Sequence, residues 1–188
     1  MALNILILPG DGIGPEIVDV AEQALEALDR RFGLNVRLTR RDIGFAALKK
    51  EGATWGPATE AACRQADGVI MGPTDTAAYP PPEEGGVGPS ASARKNLDLF
   101  ANIRPSRSAE GAPALKPGVD LVIVRENTEG FYADRNMALG GGEVMPTADT
   151  ALAVRTIPRQ ASARAAHVAF AMASARRVRV PLTSALVL

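Results

Sequence analysis

The stretch VDLVIVRENTEGFY, residues 119–132, begins as an apolar run and ends in polar residues, a glycine and an aromatic pair. An apolar run of this length, bounded by turn residues, predicts a buried strand of an α/β sheet. Arg125 then lies at the carboxyl end of the strand, where open α/β sheets bind ligands. Its planar guanidinium suits a carboxylate or phosphate, and Tyr132 is placed to supply a proton. The alternative is that Arg125 pairs with Glu126 or Glu129 and that Tyr132 only packs.

Upstream of this stretch, apolar runs alternate with helical patterns. Residues 4–8, 35–42 and 67–71 are expected to form strands, and residues 45–50 and 59–65 are expected to form short helices. This alternation predicts an α/β fold with a mainly parallel sheet flanked by helices.

A longer helix is expected between the first two strands. Pro15 suits its first turn because the missing N–H would be unpaired there, and Gly33 is expected to end it. Its apolar positions recur at helical spacing, at Ile17, Val20, Ala21, Ala24, Leu25 and Leu28. This spacing predicts that the stripe packs against the sheet.

Glycine and proline mark the connections that follow. Residues 72–88 form a long loop whose one aromatic residue is Tyr79, and a loop of this length is usually functional or mobile. Residues 90–99 are expected to be helical, and residues 102–105 to lead out of that helix. We place a domain boundary here, which gives a first domain at 1–99 and a second at 100–188.

The second domain is expected to carry a hairpin arm at residues 134–157. Three glycines at 140–142 lie at the centre of its first half and predict a glycine tip, with residues 151–157 as the returning strand. A helix at residues 158–177 and one more strand follow.

Composition excludes several classes of protein. The 188 residues carry 21 basic and 21 acidic side chains, so no net charge draws the chain to nucleic acid or to a membrane surface. Aromatic residues, at 4%, are too few for a base-stacking surface, and no apolar run is long enough to span a bilayer. The start lacks a basic signal-peptide region, and the one cysteine, Cys63, fits a reducing compartment. We therefore expect a cytoplasmic protein.

Two groups of residues are candidates for binding. Arg94, Arg104 and Arg125 lie near expected element ends and would select a small polycarboxylate if they converge; independent surface arginines are the alternative. The turn at residues 10–14 offers a helix N-terminus to an anion, but it lacks GxGxxG spacing, and a tight strand-to-helix turn is the competing interpretation. The aspartates show no metal-ligand spacing, so the sequence predicts no metal site of its own.

Three segments point to a known family when they are taken together. They are LPGDGIGPE at residues 8–16, RKNLDLFANIRP at residues 94–105 and VRENTEGFY at residues 124–132. In this order they resemble the β-decarboxylating dehydrogenases, the isocitrate/isopropylmalate dehydrogenase family. The resemblance covers nearly the whole chain and favours the isopropylmalate/isocitrate/tartrate-type branch.

The resemblance implies an activity and a set of site residues. The family oxidises and decarboxylates malate-type 2-hydroxy acids with NAD or NADP, and Mg²⁺ or Mn²⁺ acts as the Lewis acid. By motif position, the three arginines would bind the substrate carboxylates, and Tyr132 would protonate the enolate. Ser90 would shape the pocket for the variable substituent. Ile13 and the loop at residues 72–76, with Thr74, would lie near the nicotinamide, and the arm would correspond to the family's dimerisation hairpin.

The chain also departs from the family. It is roughly half a usual member, and the family's catalytic lysine and metal-binding aspartates have no counterpart, because Lys116 is the last lysine and Asp149 the last acidic residue. We expect an incomplete fold that is inactive as a lone chain. The alternative is a non-catalytic truncated paralogue or a split subunit that binds carboxylates or a partner chain. An incomplete first domain would expose an apolar sheet edge, so we expect a homo-oligomer or a completing chain.

Overall fold

A computed structural model describes residues 2–130 and 142–176. The chain divides into two compact units, residues 1–97 and residues 98–188. Each unit is described by itself. The expected final strand from residue 178 lies outside the described residues.

The first unit is built on a three-stranded parallel sheet. Strands β1 (Leu3–Leu8), β2 (Val36–Arg40) and β3 (Gly68–Met71) lie in the order β2-β1-β3. The helices are α1 (Gly14–Phe32), α2 (Phe45–Glu51), α3 (Pro57–Gln65) and α4 (Pro89–Asn96). Together they confirm the predicted α/β class, because parallel neighbours require crossover connections and these are helical here.

Local chemistry sets the helix boundaries. Pro15, Pro57 and Pro89 each occupy the first turn of a helix, where a missing N–H is tolerated. Gly33 ends α1 in the left-handed conformation, and its N–H donates to the carbonyl of Asp29 at 2.7 Å. The two boundaries of α1 are those that the sequence predicted, whereas α3 and α4 begin two residues and one residue before the predicted starts.

The packing face of α1 differs from the prediction. Val18 is buried, but Val20 of the predicted stripe is 63% exposed, and Ile17 and Leu28 are exposed as well. The helix turns Gly14 and Val18 inward, and Ala21 and Leu25 one and two turns further on are half-buried. Much of the apolar stripe therefore faces solvent.

The core of the first unit is formed by β1, the connecting segments between β2 and α3, and helices α3 and α4. Its buried residues are Leu6, Leu8, Ile43, Trp55, Cys63 and Ala93. Burial by apolar neighbours raises the pKa of the Cys63 thiol above its usual value, and the Glu60 carboxylate adds to this shift. Cys63 is therefore a packed core residue and not an activated nucleophile.

The predicted structureless loop at residues 72–88 contains two short 3-10 turns, Thr76–Ala78 and Pro82–Glu84. Its far end is attached to the core by Thr54, which is fully buried. The Thr54 hydroxyl accepts the Val87 N–H at 2.9 Å and donates to the Val87 carbonyl at 2.5 Å. The buried end of the loop is therefore a packed part of the unit.

The second unit contains two separate antiparallel pairs and one helix among its described residues. Strands β4 (Ala101–Arg107) and β5 (Asp120–Glu126) form one pair, and β6 (Glu143–Thr147) and β7 (Thr150–Ala153) form the other. Helix α5 (Arg159–Arg176) packs against β5. No helix in the described part of the chain is long and apolar enough to cross a bilayer.

Two expectations for this unit were wrong. The apolar run at residues 119–124 does enter a strand, but β5 is not buried: it pairs antiparallel with β4, and Leu121, Ile123 and Arg125 are exposed. Residues 102–105, expected as a connector, lie within β4. The described hairpin of β6 and β7 turns at residues 148–149, where Asp149 accepts the Thr147 hydroxyl at 2.6 Å. Glycines 140 and 141, and the rest of the arm from 134 to 141, lie outside the described residues.

Replacement of Thr54 by valine is expected to destabilise the first unit by about 1–3 kcal/mol, because the Val87 N–H and carbonyl lose a buried partner. Thr54→Ser keeps the hydroxyl and loses one methyl, so it should cost about 1 kcal/mol. Urea unfolding followed by the fluorescence of Trp55, the one tryptophan, measures both. Equal losses for the two variants would contradict the role of the hydroxyl.

Candidate functional site

Two of the predicted arginines lie together on the β4–β5 pair. Asn102 is paired with Arg125, and Arg104 is paired with Ile123. Paired residues share a face of a sheet, and so do residues two apart in a strand. Arg104 and Arg125 are therefore diagonal neighbours on one face, and the Nε atom of Arg104 donates to the Asn102 Oδ1 atom at 3.2 Å.

On β5, this arginine face is the more open of the two. On β5 the alternate residues Val122, Val124 and Glu126 are half-buried on the side where α5 packs, whereas Ile123 is 54% exposed. A guanidinium on the open side can donate its hydrogen bonds to a solute. Arg104 and Arg125 are therefore a candidate site on an exposed face of the pair.

A buried asparagine fixes the end of the pair that carries Arg125. The Asn127 backbone N–H donates to the Phe100 carbonyl at 2.9 Å, and its Nδ2 atom donates to the Leu99 carbonyl at 3.2 Å. Its Oδ1 atom lies 3.4 Å from the Asn102 Nδ2 atom. Asn127 is 4% exposed, so these bonds form away from bulk water and set the register beside the arginines.

The turn after β5 is organised by a carboxylate. Glu126 accepts hydrogen bonds from the Thr128 hydroxyl at 2.6 Å and from the backbone N–H groups of Thr128 and Glu129 at 3.0 and 2.8 Å. Burial alone would raise the pKa of Glu126, but the Thr128 hydroxyl and the backbone donors outweigh it and hold this pKa below its usual value. Glu126 is therefore ionised at neutral pH and holds the turn.

In the first unit, Asp11 joins three segments. Its Oδ1 atom accepts the Phe45 N–H at 2.8 Å, and its Oδ2 atom accepts the Asp75 N–H at 3.1 Å as well as the Tyr79 hydroxyl. Burial raises the pKa of Tyr79, and the Asp11 carboxylate raises it further, so Tyr79 keeps its proton and acts as the donor. Gly44 makes room for this carboxylate, since a Cβ there would lie 2.3 Å from the Asp11 Oδ1 atom.

The glycine-rich turn is explained by close backbone approach. A Cβ at Gly10 would lie 2.1 Å from the Pro73 carbonyl oxygen, and one at Gly14 would lie 2.3 Å from that of Pro9. These glycines are required by packing. This supports the interpretation as a tight strand-to-helix turn and not the interpretation as a phosphate loop. Ile13 in the same turn is 60% exposed.

The remaining predicted residues divide between the units. Thr74 belongs to the Asp11 junction of the first unit, and its hydroxyl lies 3.4 Å from that of Thr76. Ser90 and Arg94 lie one turn apart on α4, so they share a face of that helix. Tyr132 lies outside the described residues. The structure thus groups Arg104 with Arg125 and Ser90 with Arg94. It also joins the turn that carries Ile13 to the loop that carries Thr74, because the Asp11 N–H donates to the Pro73 carbonyl at 2.8 Å.

Sequence reasoning missed the residues that hold these groups in place. Asp11 was considered as a metal ligand and as part of the turn at residues 10–14, and no holding role was expected of Asn127 or Arg164. A signal for Asp11 was its position between two glycines at the end of a strand. Asn127 and Arg164 gave no local signal because their partners are distant in sequence.

The described residues do not form a metal site. No group of three or more His, Cys, Asp or Glu side chains that could hold a metal ion lies within residues 2–130 or 142–176. The ligands that Mg²⁺ and Mn²⁺ require are oxygen atoms, chiefly from carboxylates, in one cluster. The side chains in this part of the chain therefore do not fit the ion by themselves.

The structure has an α/β fold and carries two paired arginines on its β4–β5 pair. Its solved neighbours include the isocitrate dehydrogenase of Methylococcus capsulatus, with TM-score 0.75 and 34% identity over 94% of this chain and 49% of that one. A β-decarboxylating dehydrogenase of Thermococcus kodakarensis has TM-score 0.68 and 31% identity over 94% of this chain and 47% of that one.

Comparison of sequences gives the family. The 3-isopropylmalate dehydrogenase of Staphylococcus aureus strain Mu50 is 35% identical over 188 residues, which is 94% of this chain and 51% of that protein. The Pectobacterium atrosepticum protein of the same name is 34% identical over 186 residues. Residues 4–185 match the family described as isocitrate/isopropylmalate dehydrogenase, and the chain belongs to that family. It spans about half the length of the curated relatives that it matches.

The turn at residues 126–129 is expected to loosen in acid. Because the folded pKa of Glu126 lies below its usual value, the stabilisation is complete above the ordinary carboxyl pKa and is lost as pH falls through the lowered one. Hydrogen exchange at the Thr128 and Glu129 amides, compared with intrinsic rates, should show protection falling in that window. Glu126→Gln should remove the extra protection at neutral pH and flatten its pH dependence. A variant with the original pH profile would contradict this assignment.

Proposed function

We propose that the β4–β5 face binds the carboxylate groups of a malate-type 2-hydroxy acid. The observation that supports this most strongly is that Arg104 and Arg125 share one open face beside Asn102. Two planar guanidinium groups on one face offer a donor fork to each carboxylate of a dicarboxylate, and each charge-assisted bond is about twice as strong as a neutral one. The Asn102 amide adds a neutral polar group for a hydroxyl.

The reaction that this binding serves is NAD(P)-dependent oxidative decarboxylation of the acid, as in the 3-isopropylmalate, isocitrate and tartrate class. When bound, NAD or NADP accepts the hydride from the substrate carbon. Exposed Ile13 and half-buried Thr74 are the residues that this chain offers to the nicotinamide end. Arg94 and Ser90 serve the substrate, and Tyr132 donates a proton; these three roles rest on motif position.

The lone chain is expected to bind the acid without turning it over. The sequence has no lysine after Lys116 and no acidic residue after Asp149. The described residues also hold no cluster for Mg²⁺ or Mn²⁺, which family activity would need. Turnover therefore needs a lysine and carboxylates that these 188 residues do not supply. The buried free thiol of Cys63 favours a reducing compartment, and we place this function in the cytoplasm.

A second candidate is a binding subunit that associates with a second copy or a completing chain. The β6–β7 hairpin favours it, since every residue of both strands is exposed. Val144 and Leu152 are paired on one face and are 59% and 55% exposed. Exposed apolar residues on a two-stranded ribbon are a typical association surface, because an isolated hairpin is only marginally stable.

Titration of the purified chain with D-malate tests the first proposal. Arg125→Gln and Arg104→Gln should each weaken binding by about ten- to a hundredfold, because each removes one charged hydrogen-bonding partner of the ligand. Arg107→Gln is the matched control: it removes the same charge from the same strand on the opposite face, and its affinity should stay within about twofold of the parent. Equal weakening in all three would show general electrostatics only, and no binding by the parent chain would refute the proposal. A parallel assay with NAD, Mg²⁺ and D-malate should give no reduced nicotinamide.

Light scattering at decreasing concentration tests the second candidate. The parent chain is expected to be an oligomer, and Val144→Lys should shift it toward monomer because a charge then occupies the apolar face. Glu143→Lys places a lysine on the opposite face of the same strand and should leave the mass unchanged. A monomeric parent at all concentrations would rule out this association.

A further inference from the structure

We propose that Arg164 of α5 is a positioning residue that sets the spacing of the Arg104–Arg125 pair. The inference rests on the proposed carboxylate site. The Arg164 Nη1 atom donates to the Asp98 Oδ2 atom at 2.7 Å, and its Nη2 atom donates to the Thr128 hydroxyl at 3.0 Å. Its guanidinium carbon lies 4.4 Å from the centre of the Phe100 ring.

These three contacts reach both strands of the arginine face at the same end. Asp98 and Phe100 lie immediately before β4, which carries Arg104. Thr128 lies two residues after β5, which carries Arg125. The rigid, planar guanidinium of Arg164 therefore bridges the start of β4 and the end of β5. Because its donors have a fixed geometry, it sets the separation of the two strand ends as well as neutralising Asp98.

A short relay connects Arg164 to Arg125. The Thr128 hydroxyl that accepts from Arg164 donates in turn to the Glu126 Oε1 atom at 2.6 Å. Glu126 is the neighbour of Arg125 in the strand and holds the turn by two backbone N–H groups. Loss of this relay frees the turn directly after Arg125.

The backbone at Asp98, which Arg164 contacts before the start of β4, is also constrained. Asp98 has φ of +51°, a left-handed conformation that few residues other than glycine adopt. Its N–H and carbonyl lie in the turn that precedes Phe100, whose N–H donates to the Asp98 carbonyl at 2.8 Å. The ion pair with Arg164 holds this residue in place at the start of β4.

A contribution to folding stability does not account for the arginine at position 164. Its Nε atom is buried and has no hydrogen-bond partner among the described residues, which is unfavourable. The Asp98 side chain is 65% exposed, so water solvates it when Arg164 is replaced. A variant with an apolar side chain of similar length at position 164 should therefore fold about as well as the parent chain. The relative position of β4 and β5 should change in this variant.

Four variants separate positioning from stability. Arg164→Met removes the fork, and Thr128→Val removes the relay hydroxyl while keeping a β-branched side chain. Thr128→Ser restores the hydroxyl. Arg176→Met is the matched control, because Arg176 lies on the same helix and bonds Asp120 at the far end of β5.

Calorimetric titration with D-malate should show about tenfold weaker binding for Arg164→Met and about fivefold for Thr128→Val. Thr128→Ser and Arg176→Met should stay within about twofold of the parent chain. The melting temperatures of Arg164→Met and Arg176→Met should be similar, so the difference in affinity is not a difference in folding. Parallel losses of affinity and melting temperature in both arginine variants would overturn the inference.

A ligand-free measurement keeps this test separate from the proposed function. The Nε–Hε signal of Arg125 in ¹⁵N-labelled protein, assigned with Arg125→Lys, should shift or broaden in Arg164→Met and Thr128→Val and recover in Thr128→Ser. If the parent chain fails to bind D-malate, the carboxylate site is refuted and the spectra alone decide the positioning role. An Arg125 signal unchanged in Arg164→Met and Thr128→Val overturns it.

Discussion

The buried side chain of Asn127 joins the start of β4 to the end of β5, and the candidate site depends on this junction. It bonds the Leu99 carbonyl and lies within 3.4 Å of the Asn102 amide, while its backbone N–H bonds the Phe100 carbonyl. In an antiparallel pair, a slip of one residue moves every side chain to the other face. Such a slip would leave Arg104 and Arg125 on opposite sides of the sheet. Register, set by one buried amide, is therefore what turns two separate arginines into a pair.

Much of the first unit could be predicted from the sequence because its boundaries are local. Proline in the first turn and glycine at the end are sufficient to define α1, and short apolar runs define the parallel strands. Strand β4 could not be predicted in this way. It contains Pro105, lacks alternation and is defined by pairing with residues about twenty positions away. The face of α1 was missed for a related reason, since periodicity gives the apolar stripe but not what covers it.

The candidate binding residues were chosen from the sequence, but the residues that hold them in place could not be predicted. Arg104 and Arg125 were identified from their chemistry and motif position, and the structure places them side by side. Asp11 bonds Phe45, Asp75 and Tyr79, which lie 34, 64 and 68 residues away. Arg164 lies 66 residues from Asp98 and 36 from Thr128. Sequence spacing carries no information about such contacts, because only the folded chain brings the partners together.

The ion pairs of Arg164 and Arg176 explain part of the uneven charge distribution along the chain. The sequence after Asp149 has arginines and no acidic residue, yet the whole chain is neutral. Arg164 and Arg176 of that segment pair with Asp98, which precedes β4, and with Asp120, the first residue of β5. In the described part of the segment, these two arginines therefore neutralise carboxylates beside the adjacent strands and hold α5 next to them. Their guanidinium groups are engaged within the unit, whereas the proposed site for an external carboxylate uses Arg104 and Arg125.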